Sequence, residues 1–440
     1  MELLNKNVSQ LLQMMKDGEI SSEKLVERYI EEIEKENSNL KIYREIMRKE
    51  AVDRAREIDR RRKDGEKLGL FAGIPIAVTD DISTKGIPTR AGSKMLENYI
   101  PPFDATVVEW LLKEDAIIIG KIDVSEFGNT STRVGTAISK NQAVFALSSD
   151  AGGSARYSAL QNGVFFMKPT YGMVSRYGAV GNTTTFDQIG PVTKNIMDMA
   201  LALNAIVGWD RRDSTSISRD KVDYTSVLTG DVKGLKIGLP MEYIEKNMDS
   251  KEISQIIADL EKLGASIEKI SIPSLDYVLP AYSILSSAEV ASNAAKYDGL
   301  RYGYRTDEYE DVEDLYRKTR SEGFGMEVKK QILFGNFVVS DKQYEGYYKK
   351  AQRVRTLIKN EFNNIFKSCD LILCPEPLSE DGFRFKEYTL AANMTGLPAI
   401  VVPYEKSSVG LHFIGSIYGE DTLLKMAYAC EAVDKVGGEV

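Results

Sequence analysis

The chain of 440 residues carries 57 Lys and Arg against 65 Asp and Glu, a net charge of −8, with 43% hydrophobic residues. That acidic balance argues against a chain that by itself grips nucleic acid through phosphates, and no run reaches the roughly eighteen apolar residues of a membrane span. Three cysteines (Cys369, Cys374 and Cys430) lack metal-type companions and suit packing in a reducing compartment; with no apolar signal region in Met1–Lys6, the expected location is cytoplasmic.

Residues 7–66 read as mostly helical, with Val26, Tyr29, Ile30 and Ile33 on one face and charge opposite. The run Arg60-Arg61-Arg62-Lys63 sits among Asp59, Asp64 and Glu66, and reads as a solvated helix end rather than an RNA contact. From Leu70 onward short apolar runs alternate with helical patterns. The runs are 74–78, 116–119, 235–239, 267–272, 371–373 and 399–402, and the helical stripe Ile253, Ile256, Ile257, Leu260 and Leu263 ends before Gly264. Such alternation predicts an α/β fold around a mixed sheet. A helical segment, 1–67, is expected to pack on an α/β domain, 68–440. The Tyr-rich stretch from Leu300 to Gly346 reads as helices over the sheet's edge. Residues 409–415 alternate like a half-buried strand and carry the only histidine, His412, which reads as structural.

Residues 147–154 read Leu-Ser-Ser-Asp-Ala-Gly-Gly-Ser, and 168–172 read Lys-Pro-Thr-Tyr-Gly. Two glycines before Ser154 let the backbone pass close to a bound group with N–H donors aimed at it. A serine hydroxyl beside such donors is what acyl transfer needs: a nucleophile, here Ser154, and an oxyanion site, for which Ala151, Gly152 and Gly153 are the candidates. Taken alone, Gly-Gly-Ser is more often a turn.

Further blocks accompany that loop: Ala72-Gly73-Ile74-Pro75-Ile76-Ala77-Val78, Val174-Ser175-Arg176-Tyr177-Gly178, Asp187-Gln188-Ile189-Gly190-Pro191, Tyr297-Asp298-Gly299-Leu300-Arg301-Tyr302-Gly303 and Thr395-Gly396-Leu397-Pro398. In this order over nearly the whole chain, they resemble the amidase signature family and, within it, the A-type subunits of the glutamyl-tRNA(Gln) and aspartyl-tRNA(Asn) amidotransferases. The resemblance implies a central mixed sheet with helices on both faces. It also implies partners, the B-type and C-type amidotransferase subunits, with tRNA reached through the partner. ATP and Mg²⁺ would belong to that partner, since this chain has no phosphate-binding Gly-x-x-x-x-Gly-Lys-Ser/Thr loop. No cofactor or metal is expected in the chain itself.

The family chemistry, as the resemblance implies it, uses a lysine base, a middle serine after a cis bond, and a nucleophilic serine. Ser154 stands at the nucleophile position. The base position holds Thr79, followed by Asp80 and Asp81, and a threonine hydroxyl takes no proton from serine at neutral pH. About twenty residues that would carry the middle serine are expected to be missing after Lys140-Asn141-Gln142; Ser148 and Ser149 are weak substitutes. Where, by the resemblance, the family holds glutamine, Lys330 and Gln331 stand near an expected arginine, which removes the carboxylate fork, and Lys386 or Glu387 near an expected aspartate, where a lysine would repel the α-ammonium and a glutamate could still serve; glutamine binding is doubtful. Lys85, Lys121, Lys168 and His412 are the other conceivable bases, none singled out by spacing. These residues suggest a pseudoenzyme of the A type; the alternative is a Ser154-dependent amidase with a non-standard base.

Overall fold

Alternate residues of a strand point to opposite faces of its sheet, and here they feed two separate cores. Phe166 and Val401 join one buried cluster, while their neighbours Phe165, Met167, Ile400 and Val402 join the other. Helices therefore cover both faces, as expected for the α/β class. The computed structural model describes residues 3–128, 132–181, 183–242, 244, 250–377, 386–404 and 409–437.

The strands are β1 (Tyr43–Ile46), β2 (Pro75–Thr79), β3 (Ile117–Ile122), β4 (Phe145–Asp150), β5 (Phe165–Lys168), β6 (Gln188–Thr193), β7 (Lys236–Pro240), β8 (Ser266–Ile270), β9 (Leu371–Pro377), β10 (Ala399–Val402) and β11 (Val409–Gly415). They form one sheet in the order β1-β3-β2-β4-β6-β5-β10-β11-β9-β7-β8. Pairing is parallel for β3-β2-β4 and for β9-β7-β8, and antiparallel elsewhere, so the sheet is mixed. No described helix is long and apolar enough to cross a membrane.

Three expectations need correction and a fourth an addition. The N-terminal segment is mostly helical as read, but after helices Val8–Lys16 and Ser22–Leu40 the chain also supplies β1, which pairs with β3 and makes the segment one edge of the sheet. The arginine run is not simply solvated. Arg61 grips Asp115 at 2.6 Å, and Arg62 donates to the Ala72 carbonyl at 2.8 Å and to Ser22 Oγ at 2.9 Å, pinning the helix Arg48–Lys63 to the domain. The 409–415 strand is buried at all seven positions, because β10 and β9 flank it and both faces are covered. The helix Met326–Val338 packs along the helix Val278–Ala294 rather than over a sheet edge.

Close approach of backbones fixes some positions absolutely. A Cβ built on Gly190 in β6 would lie 1.8 Å from the Met167 carbonyl oxygen in β5. Gly190→Ala is expected to force the two strands apart and to destabilise the fold by about 1–3 kcal/mol or more, read as a fall in the denaturant midpoint at unchanged slope.

Candidate active site

β2 and β4 run parallel with Val78 beside Leu147, so both end at the same edge of the sheet. The chain goes from β2 to β3 on one side and returns to β4 on the other. Loops leaving such a reversal diverge and leave a crevice at the strands' carboxyl ends. Thr79 ends β2, Asp150 ends β4, and Ser154 opens the helix Ser154–Gln161. Ser154 is half-buried, and no side chain among the described residues hydrogen-bonds its hydroxyl. Thr79 is fully buried and donates to Asp81 Oδ1 at 2.5 Å; the other oxygen of Asp81 accepts from Ser149 Oγ. Ser149 is thereby tied to Asp81, while Ser148 Oγ turns to the Ser149 carbonyl at 3.1 Å.

The glycine loop is held by a buried ion pair. Arg156 and Asp150 have fully buried side chains and meet through two pairs of atoms, Nη2 to Oδ1 at 3.0 Å and Nε to Oδ2 at 3.1 Å. Arg156 also donates to the Thr389 carbonyl at 2.9 Å and to Asn393 Oδ1, and lies 3.1 Å from His412 Nε2. Asn393 returns hydrogen bonds to the Asp150 and Phe186 carbonyls at 2.8 and 3.0 Å. Burial pushes the Asp150 carboxyl up, but the charge and hydrogen bonds of Arg156 outweigh it and hold the group below its ordinary range.

Gly153 has φ +93°, and a Cβ there would lie 2.6 Å from Thr389 Cβ; one on Gly152 would lie 2.8 Å from Tyr282 Oη. Gly153 is thus required by backbone shape and packing, and Gly152 is crowded by the Tyr282 hydroxyl. Of the three oxyanion candidates, Gly153 is not free, because its N–H donates to Asp150 Oδ1 at 2.9 Å. Ala151 is fixed from its other side, its carbonyl accepting from Tyr282 Oη at 3.0 Å. Among the described residues no acceptor takes the Ala151 and Gly152 N–H groups.

None of the conceivable bases reaches Ser154. Lys121 is fully buried and spends its ammonium on the Ile82 carbonyl and the hydroxyls of Thr84 and Thr89 at 3.2 and 3.3 Å. Lys168 donates to the Pro169 carbonyl at 3.1 Å, and Lys85 is exposed. His412 stands between Arg156 and Glu376, its Nδ1 3.0 Å from Glu376 Oε1, and burial holds its pKa below the usual value. That is the structural role read from sequence. Lys330 pairs with Glu327 at 2.7 Å on the helix Met326–Val338; the side chains of Lys386 and Glu387 lie outside the described residues.

In the sequence Asp187 stands only as a letter of the Asp-Gln-Ile-Gly-Pro block. In the fold it is 6% exposed, and its Oδ1 has no hydrogen-bond partner. Burial, then the Asp81 and Asp150 charges, push its carboxyl up to about 7 against the opposing pull of Arg176. It lines a cavity of about 190 Å³ together with Arg176, Tyr177, Gly181 and Thr184. Among the described residues no group of three or more His, Cys, Asp or Glu is placed to hold a metal ion.

A glycine-elbowed serine at the carboxyl ends of a mixed sheet, flanked by this motif set, is the arrangement of an amidase. The Amidase family profile matches residues 24–134 and 134–424, and the chain belongs to the amidase signature family. Among its relatives is the A-type subunit of glutamyl-tRNA(Gln) amidotransferase from Thermoanaerobacter pseudethanolicus, 42% identical over 99% of this chain and 98% of the relative. The same subunit of Fusobacterium nucleatum is 40% identical over 94% and 93%. The crystal structure of the corresponding protein from Thermotoga maritima superposes with a TM-score of 0.77 at 30% identity, covering 97% of this chain and 94% of that one. The peptide amidase of Stenotrophomonas maltophilia shares the fold, with a TM-score of 0.82 at 24% identity over 98% and 97%.

The alignment with the first relative has 478 columns, longer than this chain, so the relative carries residues absent here. The two profile matches meet at 134, which puts the discontinuity before the helix Val134–Ser139 rather than after Gln142. That helix is held in place because Gly135 accepts close contact, its N–H donating to Ser158 Oγ at 3.0 Å. Lys140-Asn141-Gln142 is the tight turn from this helix into β4, with Asn141 at φ +60°.

Two outcomes test this geometry. Arg156→Ala leaves the Asp150 carboxylate buried without its partner and is expected to cost about 3–5 kcal/mol in denaturant unfolding; Arg156→Lys restores only part of this, lacking the fork. Asp187 behaves oppositely with pH. Its folded pKa lies above the ordinary carboxylate value, so stability is lost as pH rises from about 4 to about 7. Asp187→Asn is therefore expected to match wild type below pH ~4 and to gain up to about 4 kcal/mol above pH ~7, measured by unfolding at both extremes.

Proposed function

We propose that this chain is the A-type component of a tRNA-dependent amidotransferase whose own glutamine-hydrolysing centre has lost its general base. The single observation that carries the reading is Thr79. It ends β2 where the resemblance places the lysine, and its hydroxyl is already committed to Asp81 at 2.5 Å. An alcohol in that position has neither the basicity nor the charge to draw a proton from Ser154. The shaped loop remains, with Ser154 at the helix start and the Ala151 and Gly152 N–H groups beside it. A surviving oxyanion site without an activated nucleophile gives little acyl transfer.

In this role the chain is a structural component of the assembly. It supports a B-type partner, which binds tRNA and uses ATP with Mg²⁺, and a C-type partner, while nitrogen arrives as free ammonium. The competing reading is a Ser154-dependent amidase with a non-standard base, and it rests on the intact loop.

The test is ammonia release from glutamine by the chain purified with its partners. Wild type, Ser154→Ala and Thr79→Lys are all expected to release none above background, while the wild-type complex amidates tRNA with added ammonium. Release that is abolished by Ser154→Ala would establish the competing reading.

A further inference from the structure

The block Tyr297-Asp298-Gly299-Leu300-Arg301-Tyr302-Gly303 has no part in the Ser154 site, yet its shape is fixed by its own contacts. Asp298 Oδ1 accepts from the N–H groups of Leu300 and Arg301, each at 2.9 Å, and the Gly299 N–H donates to the Tyr302 carbonyl at 3.1 Å. Arg320 donates to the Tyr297 carbonyl at 3.1 Å, and the centre of the Tyr297 ring lies 5.5 Å from that of Phe127. Tyr302 is left 59% exposed. This segment forms one wall of a cavity of about 660 Å³, a size usual for small-ligand sites. Residues 94–99 and 178–181 supply other walls, and the Tyr304 N–H ties the first to the segment by donating to the Met95 carbonyl at 2.9 Å.

Five aromatic rings line the cavity: Tyr99, Phe103, Tyr297, Tyr302 and Tyr304. Such rings give a flat ligand a large contact area at small cost in side-chain entropy. Most charges on the wall are answered within the protein. The Glu97 carboxylate lies 3.5 Å from Arg90 Nε and 3.9 Å from Arg44 Nη2, and Arg301 binds Asp298 at 3.0 Å. Lys94 sits 4.0 Å from the centre of the Tyr304 ring, and its charge acts on Glu322. Lys296 differs. Among the described residues no carboxylate pairs with it, and its Nζ lies 5.2 Å from the centre of the Tyr297 ring. It is open to solvent, but enough protein surrounds it for desolvation to lower its pKa.

We infer that this cavity is a binding site for a small monoanionic aromatic acid, its ring packed among the tyrosines and its carboxylate paired with Lys296. One unpaired ammonium balances one negative charge; a phosphate, at about −1.5 to −2 near neutral pH, is left undercompensated. With Arg301 engaged by Asp298, the planar fork that suits a phosphate is also spent. The described lining holds none of Thr79, Asp81, Ser149 or Ser154, so the site is separate from the serine crevice, although the Val180 N–H in its wall donates to the Asp81 carbonyl at 2.7 Å. The assignment does not depend on the function proposed above.

Calorimetric titration of the full chain with naphthoate, naphthylmethanol and naphthyl phosphate tests this. One naphthoate is expected to bind per chain, about tenfold tighter than the uncharged alcohol and no weaker than the phosphate. Lys296→Met keeps the apolar stem and removes the charge, so naphthoate should fall to the affinity of the alcohol while the alcohol is unchanged. Tyr302→Ala should weaken the acid and the alcohol alike. Both side chains are exposed, and unchanged thermal midpoints check that the variants stay folded. Absence of binding, equal affinities for naphthoate and the alcohol, an acid preference retained in Lys296→Met, or tighter binding of the phosphate would overturn the assignment.

Discussion

The buried pair of Arg156 and Asp150 is the constraint on which the site depends. Two charges taken out of water are costly unless their geometry and remaining hydrogen bonds are complete, and here they are. Asp150 ends β4, Arg156 lies in the helix that Ser154 opens, Asn393 and the Thr389 carbonyl come from the helix Lys386–Thr395, and His412 comes from β11. Four elements from three separate stretches of the sequence are tied at one guanidinium. The glycine loop between Asp150 and Ser154 is a short bridge across that tie. Its shape follows from the ion pair, with Asp150 Oδ1 holding the Gly153 N–H directly.

A consequence is that the nucleophile loop and the base are separable. Nothing in the Arg156 network touches Thr79, whose bond runs to Asp81 and on to Ser149. The base position and the nucleophile loop are held by different hydrogen-bond sets, which approach each other only through Asp81 and Ser149. A family member can therefore keep a well-formed serine elbow after the proton acceptor is gone, because the elbow is a structural element in its own right.

The large features of the fold were legible because they have local causes. Strands such as Ala399–Val402 and Lys236–Pro240 are short apolar runs, and the helix Ser250–Lys262 has a clear apolar stripe. β1 was not, since Tyr43–Ile46 contains Arg44 and Glu45, and its strand character comes only from pairing with β3. In the site, Ser154 and the glycines could be read from their spacing. The role of Arg156 could not, because an arginine is expected at the surface and only tertiary contacts reveal its burial. Asp187 was hidden for the same reason. Its motif was visible, but its burial and the lack of a hydrogen bond to its Oδ1 are matters of side-chain geometry.

On the reading proposed above, a hydroxyl in place of a cationic base at the end of β2 has a physical cost for the residues around it. A lysine at the end of β2 would carry a charge; threonine supplies a hydrogen bond to Asp81 and no charge. Lys121 cannot compensate, since its ammonium faces the Ile82, Thr84 and Thr89 oxygens and its nearest carboxyl is Asp80, where burial drives the acid up and the amine down. Asp187 is a further buried acid with one oxygen that no hydrogen bond reaches, and the Asp81 and Asp150 charges act on it. A buried acid in that position has two ways to lower its energy: keep its proton, or hold a cation. The first raises its pKa toward neutrality, the direction found here. In either case Asp187, just before β6, is an acid whose chemistry is set by the charges and burial around it.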